Sequence, residues 1–138
     1  MILLDTHAWI WWLAQPESLS AAARSAVGRA VEPGGAGGSA EGVAISAISV
    51  WELAMLVQRG RLELTMSPSR WLEECERLPF LSILPLDARI ALRTASLAPA
   101  FHADPADRMI VATALVHGLT LVTKDARIRG HGLVTTIW

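Results

Sequence analysis

The sequence predicts an α/β fold with a mostly parallel sheet, and three observations carry that prediction. Short apolar runs, Ile2-Leu3-Leu4, Val43-Ala44-Ile45-Ser46 and Leu119-Thr120-Leu121-Val122, alternate with stretches that read as helices, the pattern of strand and helix units in an α/β domain. Four acids, Asp5, Glu52, Asp107 and Asp125, follow or closely flank these elements where strands hand over to helices. Capping residues, prolines and glycines punctuate the boundaries between them.

A chain of 138 residues fits one domain, 1–138, since domains typically run to about 100–150 residues. Ile2 to Leu4 is its first strand. Thr6 to Ala14 follows as a helix that is apolar all round, through Ala8-Trp9-Ile10-Trp11-Trp12-Leu13, and such a helix is buried on more than one side. Ser20 caps a second helix running to about Val31. Residues 33–42 then break all periodicity with glycine and offer no apolar anchor, which predicts a flexible loop inside the domain. After the strand Val43 to Ser46, a helix is expected from about Ser49 to Arg59, closed by Gly60. Leu62-Glu63-Leu64 reads as a short extended piece. Ser67-Pro68-Ser69 starts another helix with Trp71, Leu72, Cys75 and Leu78 on one face, and Pro79 ends it. Ser82 to Pro85 is a short strand and Ala88 to Ser96 a helix. Asp104-Pro105-Ala106-Asp107 opens a long helix whose apolar body is Met109 to Val116, with Gly118 just beyond. Leu119 to Val122 and Val134 to Ile137 are the last strands.

Apolar residues make up 52% of the chain, above the roughly 45–50% usual for soluble domains, and six tryptophans stand beside two phenylalanines and no tyrosine. Part of that surface is expected to meet a partner. No apolar run approaches the roughly 18 residues of a spanning helix, and Met1 leads straight into a strand without a basic leader. A cytoplasmic protein that does not touch membrane is therefore expected. Cys75 is the one cysteine, so a disulfide framework or a cysteine-rich zinc site within one chain is excluded. Net charge is −1 and the pI about 6.4, which lacks the basic excess of a protein that holds nucleic acid by charge alone. Any such contact is local, with Arg59 and Arg61, Arg127 and Arg129, and Lys124 as the basic spots.

Each acid has an ordinary local reading. Asp5 can cap the first helix. Glu52 lies three residues after Ser49, and Asp107 three after Asp104, both at capping-box spacing. Asp125 fits a turn after Thr123-Lys124. Taken one at a time these readings do not explain why one rim of the sheet is so consistently acidic. In an open parallel sheet, ligands bind outside the carboxyl ends of the strands, where residues distant in sequence converge. Two unit charges about 4 Å apart repel by about 4 kcal/mol at an effective dielectric of 20, so several carboxylates in one crevice call for protons, hydrogen bonds or a cation. Carboxylate and hydroxyl oxygens favour Mg²⁺ or Mn²⁺ over zinc or copper. His7, His102, His117 and His131 form no spaced zinc motif, and the glycines of 34–38 lack the following Lys and Ser/Thr of a phosphate loop. His102 and His7 lie close enough in sequence to the acids to line the crevice, with a structural role the ordinary reading for both.

Five phrases in series resemble the PIN-domain ribonucleases, specifically the VapC-type toxins of type II toxin–antitoxin pairs. They are Leu3-Leu4-Asp5-Thr6-His7, Ser46-Ala47-Ile48-Ser49-Val50-Trp51-Glu52, Gly60-Arg61-Leu62, Asp104-Pro105-Ala106-Asp107-Arg108 and Leu121-Val122-Thr123-Lys124-Asp125. The resemblance implies a three-layer α/β/α fold with about five strands, and Mg²⁺- or Mn²⁺-dependent endonucleolytic cleavage of RNA through one or two ions. It implies Asp5, Glu52, Asp107 and Asp125 as the metal-binding catalytic acids. Thr123, Thr6, Ser46 and Asp104 would support the site, and Arg108, Lys124 and Arg61 would contact RNA. It also implies a homodimer and a VapB-type antitoxin, for which the tryptophan-rich first helix and the helix around Trp51 to Val57 offer an apolar groove. Two departures stand out: the glycine-rich insertion at 33–42, and Ala103 where the subgroup commonly has a basic residue. Three other readings stay open. A phosphoacceptor domain would want an acidic pair after the first strand, and a hydrolase with a nucleophilic Asp would want a second Asp where His7 stands. From another class, a catalytically idle PIN-like module would bind RNA or protein.

Overall fold

The computed structural model describes residues 1–32 and 42–138. The predicted loop falls on residues 33–42, so all of it but Gly42 lies outside the described residues. Among the described residues five strands, β1 (Ile2–Leu4), β2 (Val43–Ser46), β3 (Leu81–Leu84), β4 (Thr120–Val122) and β5 (Thr136–Ile137), form one sheet in the order β3-β2-β1-β4-β5. Every pairing is parallel. The chain works outward from β1 to β3, then returns to lay β4 on the other side of β1. That reversal of direction opens a crevice at the carboxyl ends of β1 and β4.

Successive strand residues face opposite sides, and here both sides are covered, which is why the strands read as unbroken apolar runs. Leu4, Ile45 and Val122 join Trp9, Val27, Leu53 and Trp71 in one core. Leu3, Ala44 and Leu121 join Ile90, Phe101, Ile110 and Ile128 in the other. The first layer is built by α1 (Thr6–Ala14), α2 (Ala21–Val31) and α4 (Pro68–Glu76), the second by α5 (Ala88–Ser96), α6 (Pro105–His117) and α7 (Ala126–His131). Between them α3 (Ala47–Gln58) gives Leu53 to the first core and Ile48 to the second. Fully burying a side chain of this size is worth about 1.5–3 kcal/mol, so the two cores fix the sheet rigidly beneath the crevice.

Local chemistry sets the helix starts. Asp5, Ser20, Ser46, Ser67, Asp87, Asp104 and Asp125 each accept a backbone N–H at a helix N-terminus. Gly60 (φ 68°) and Gly118 (φ 64°) take the left-handed turns that follow α3 and α6, where a side chain would be strained.

Three expectations are corrected. α3 begins at Ala47, with Ser46 as its cap (Ile48 N–H to Ser46 Oγ, 3.4 Å), so Ser49 lies inside the helix and no Ser49–Glu52 capping box exists. Gly42 belongs to the body of the fold rather than to a free loop, since its N–H reaches Ala30 O at 2.9 Å and its carbonyl accepts from Ile2 N–H at 3.2 Å. A Cβ there would meet Phe80 O at 3.1 Å, and φ is +74°. Helix α7 went unpredicted because its six residues, Ala-Arg-Ile-Arg-Gly-His, carry one buried anchor, Ile128.

Arg108, expected at the RNA, also has work within the fold. Its guanidinium donates to the carbonyls of Ala98 (2.9 Å), His102 (3.3 Å), Thr94 (3.4 Å) and Leu97 (2.8 Å). Those four bonds engage both terminal nitrogens of the guanidinium and tie the α5–α6 connection to α6. Hydrogen bonds from charged groups are worth about 1.5–3 kcal/mol each. Arg108→Ala is therefore expected to lower unfolding stability by about 2–4 kcal/mol, read as a drop in urea midpoint at unchanged slope. A midpoint within error of wild type would contradict this role.

Candidate metal centre

Asp5 follows β1 directly, and the sheet holds it in place through Asp5 N–H to Val122 O at 3.1 Å. Its Oδ1 caps α1 by accepting Ala8 N–H at 2.7 Å. Across the β1–β4 junction, Thr123 is fully buried. Its hydroxyl accepts Asp125 N–H at 3.0 Å and hydrogen-bonds the Asp5 carboxylate. One hydroxyl thus couples the ends of two adjacent strands. Asp125 in turn caps α7, its Oδ1 accepting Arg127 N–H at 2.7 Å and Ile128 N–H at 3.1 Å.

Glu52 enters from α3. Thr6 Oγ1 donates its single proton to Glu52 Oε1, so Ser49 Oγ, 3.0 Å from Thr6 Oγ1, serves as donor to it. Asp107 enters from the first turn of α6, whose cap is Asp104 (Ala106 N–H to Asp104 Oδ1, 2.8 Å). These elements close a crevice of about 400 Å³ lined by Asp5, Thr6, His7, Trp11, Glu52, Asp104, Asp107, Lys124 and Asp125. All four acids predicted as ligands are there, together with Asp104, a supporting residue.

The electrostatics are those of a site short of positive charge. Burial, then the neighbouring carboxylates Asp104 and Glu52, raise Asp107 from 3.8 to about 7. The positive end of α6 favours a carboxylate there by only about 0.3–1 kcal/mol, too little to reverse the shift. Burial likewise raises Asp5, against hydrogen bonds from Thr123 and Ala8, and raises Glu52 against the bond from Thr6. Asp125 goes the other way: against the desolvation of burial, bonds from His102 and from the Ile128 and Arg127 N–H groups hold it below the usual carboxylate range. Oxygen donors of this kind, held by threonines and helix starts, suit a hard divalent cation.

The pattern of the PIN domain family matches residues 2–132. This chain belongs to the PIN domain family. The PIN domain is 40% identical over 131 residues to Ribonuclease VapC22 of Mycobacterium tuberculosis, an overlap of 94% of this chain and 91% of that protein. Its fold is similar to that of FitAcB from Neisseria gonorrhoeae, with a TM-score of 0.60 at 27% identity, covering 99% of this chain and 96% of that one. It is also similar to VapBC2 from Rickettsia felis bound to a DNA fragment from the promoter, with a TM-score of 0.68 at 16% identity over 99% and 97% of the two chains. That last likeness concerns the fold alone.

Not every residue named from the sequence reaches the crevice of this PIN domain. Ser46, fully buried, supports it from behind by capping α3 and approaching Thr113 of α6 (3.5 Å). Lys124 lines the crevice, whereas Arg61 is exposed and lines none of it. His102 matters more than its sequence reading allowed. Its Nδ1 accepts Asp104 N–H at 3.1 Å, which leaves the ring proton on Nε2, and Nε2 lies 3.0 Å from Asp125 Oδ2 and 3.5 Å from Asp107 Oδ2. Although His102, Asp107 and Asp125 come within ligand spacing of one another, a protonated Nε2 has no lone pair for a metal. His102 is better described as the clamp that holds two of the acids at a fixed separation. Its position two residues before the Asp-Pro-Ala-Asp helix start was the available signal.

Proposed function

We propose that this PIN domain is a metal-dependent endoribonuclease and the toxin half of a toxin–antitoxin pair. One observation carries the reading: four carboxylates from four separate segments, Asp5, Glu52, Asp107 and Asp125, line a single crevice with three of them pushed toward the protonated form. The name of the Mycobacterium relative, Ribonuclease VapC22, supports the substrate class, and the resemblance of the five sequence phrases to VapC-type toxins supports a VapB-type antitoxin as inhibitor. Asp5, Glu52, Asp107 and Asp125 would hold one or two Mg²⁺ or Mn²⁺ ions. Such an ion, when bound, polarises a phosphoryl oxygen and lowers the pKa of a water. The chain's own contribution is placement. Thr123 and Thr6 aim Asp5 and Glu52, His102 fixes Asp107 against Asp125, and Lys124 offers the one ammonium among the lining residues to a phosphate. Cleavage so arranged needs no 2′-hydroxyl nucleophile.

For the antitoxin, α1 and α3 remain the surface we assign, with Trp51, 54% exposed, as its anchor; Trp9 is excluded, being fully buried against Trp71 at 6.3 Å. We assign a homodimer as the active form. The test is to incubate the purified chain, free of antitoxin, with a pool of cellular RNAs in Mg²⁺ or Mn²⁺ and again in chelator. Discrete cuts that vanish with chelator are expected. Binding of the ion without any cut across single-stranded and structured RNAs would overturn the ribonuclease assignment in favour of an idle binding module.

A further inference from the structure

One wall of the crevice carries no carboxylate. It consists of His7 and Trp11, one turn apart on α1, and Lys124, just beyond β4. The His7 and Trp11 ring centroids are 5.5 Å apart, Trp138 packs on Trp11 at 5.7 Å, and the Lys124 Nζ sits 5.6 Å from the Trp11 ring centroid. Trp11 is thus held in place yet only half-buried, and His7 is exposed. Packing accounts for the Trp138 contact. It does not account for two rings presented to a cavity of five carboxylates, with the only cationic side chain of known charge in that lining parked over one of them.

Charge supplies the reason for such a wall. The protein carries a net charge of −1, so it lacks the electrostatic hold by which most proteins retain nucleic acid, and the crevice itself repels a phosphate backbone. Beyond what an ion and Lys124 would supply, affinity near the cut calls for contacts that do not depend on charge. Stacking of an unpaired base on an aromatic ring is such a contact, and it is how single-stranded RNA is commonly held. A cavity of about 400 Å³ is at the small end of the roughly 300–1,000 Å³ of ligand pockets, room for one splayed nucleotide and not for a duplex.

Resting on the ribonuclease reading, we infer that Trp11, assisted by His7, is the stacking platform for an unpaired base beside the scissile phosphate, and that Lys124 leaves the indole for a neighbouring phosphate when RNA enters.

The test starts from a random-sequence single-stranded RNA pool with Mn²⁺, which yields an oligonucleotide that the wild type cuts. An abasic residue is then placed on either side of the cut, and kcat and KM are measured for wild type, Trp11→Leu, Trp11→Phe and His7→Leu. On intact RNA, Trp11→Leu is expected to lower kcat/KM by about 10- to 100-fold, mainly through KM, and Trp11→Phe to restore most of it. At one of the two positions the abasic residue should weaken the wild type to a similar degree and Trp11→Leu hardly at all. Losses that multiply independently at both positions overturn the platform. His7→Leu, a change at an exposed position, provides a second cycle that does not depend on Trp11→Leu folding, and independence there also counts against the inference. In Lys124→Gln the dependence of log KM on log salt should flatten by about 0.7; an unchanged slope removes Lys124 from the contact. If the wild type cuts neither this pool nor structured cellular RNAs, the ribonuclease reading falls and this inference with it, whereas cleavage confined to duplex RNA, or cleavage with independent losses, overturns the platform alone.

Discussion

Asp5→Asn is expected to lose metal-dependent RNA cleavage by at least about 100-fold, since even partners one step removed from a metal cost 10–100-fold when changed. In divalent-free buffer the same variant is expected to melt at or above the wild-type temperature. Both halves follow from the position of the carboxylate. Asp5 is 7% exposed and burial raises its pKa, so the ionised form is the disfavoured one in the metal-free fold. An amide of the same shape removes that penalty and keeps an oxygen for Ala8 N–H, so the cap on α1 survives. What it cannot supply is the negative charge that a cation needs. Calorimetry for stability and single-turnover cleavage for activity separate the two halves. Full activity would falsify the assignment of Asp5 as a ligand, and lost activity with a lowered melting temperature would mean that the fold, not the site, had been damaged.

How far the site was legible in the sequence depended on what kind of interaction each residue makes. Helices α1, α2 and α6 announced themselves through a cap at one end and, for α6, a glycine at the other, because those signals are local. The acids were legible as a set because the parallel sheet converts strand ends into one rim, and Asp5, Glu52, Asp107 and Asp125 do line the same crevice. Glu52 was legible for an incomplete reason: its partner is Thr6, 46 residues away, rather than Ser49 as a capping box. The partners of His102 and Arg108 were not legible, for a shared cause. A charged or polar side chain can be spent on backbone carbonyls or on carboxylates, and only the path of the α5–α6 connection decides which. Trp9 and Trp11 make the same point within one helix. Two residues apart, they face opposite ways, one into the core against Trp71 and the other onto the crevice beside Lys124, and an all-apolar helix carries no periodicity to tell them apart.

The second large effect concerns pH and the cation together. Asp107 has a folded pKa of about 7 against an ordinary 3.8, so over that interval the folded protein binds more protons at this group than the unfolded chain does. Stability must then fall as pH rises, being full below about pH 4 and lost by the time pH passes the folded pKa. One pKa unit corresponds to about 1.4 kcal/mol; because the carboxyl is a quarter exposed and shares its shift with Glu52, Asp104 and Asp125, a change of about 2–4 kcal/mol is the reasonable scale. Burial pushes Asp5 and Glu52 in the same direction. Asp125, held low, gives stability that is lost only at acid pH and does not oppose the trend above its ordinary pKa. The metal-free protein is therefore expected to melt lower at pH 8 than at pH 5 by about 5–12 °C. Mg²⁺ or Mn²⁺ pairs with the ionised carboxylates, so it should stabilise far more at pH 8 than at pH 5 and should narrow that gap. Asp107→Asn isolates the group: the variant should lose most of the pH slope, gain stability over wild type in chelator at pH 8, and respond less to the ion. A wild-type melting temperature that rises from pH 5 to pH 8 in chelator, or an Asp107→Asn slope equal to that of wild type, would mean that the carboxylates relieve one another through solvent and that the crevice has no electrostatic need of a cation.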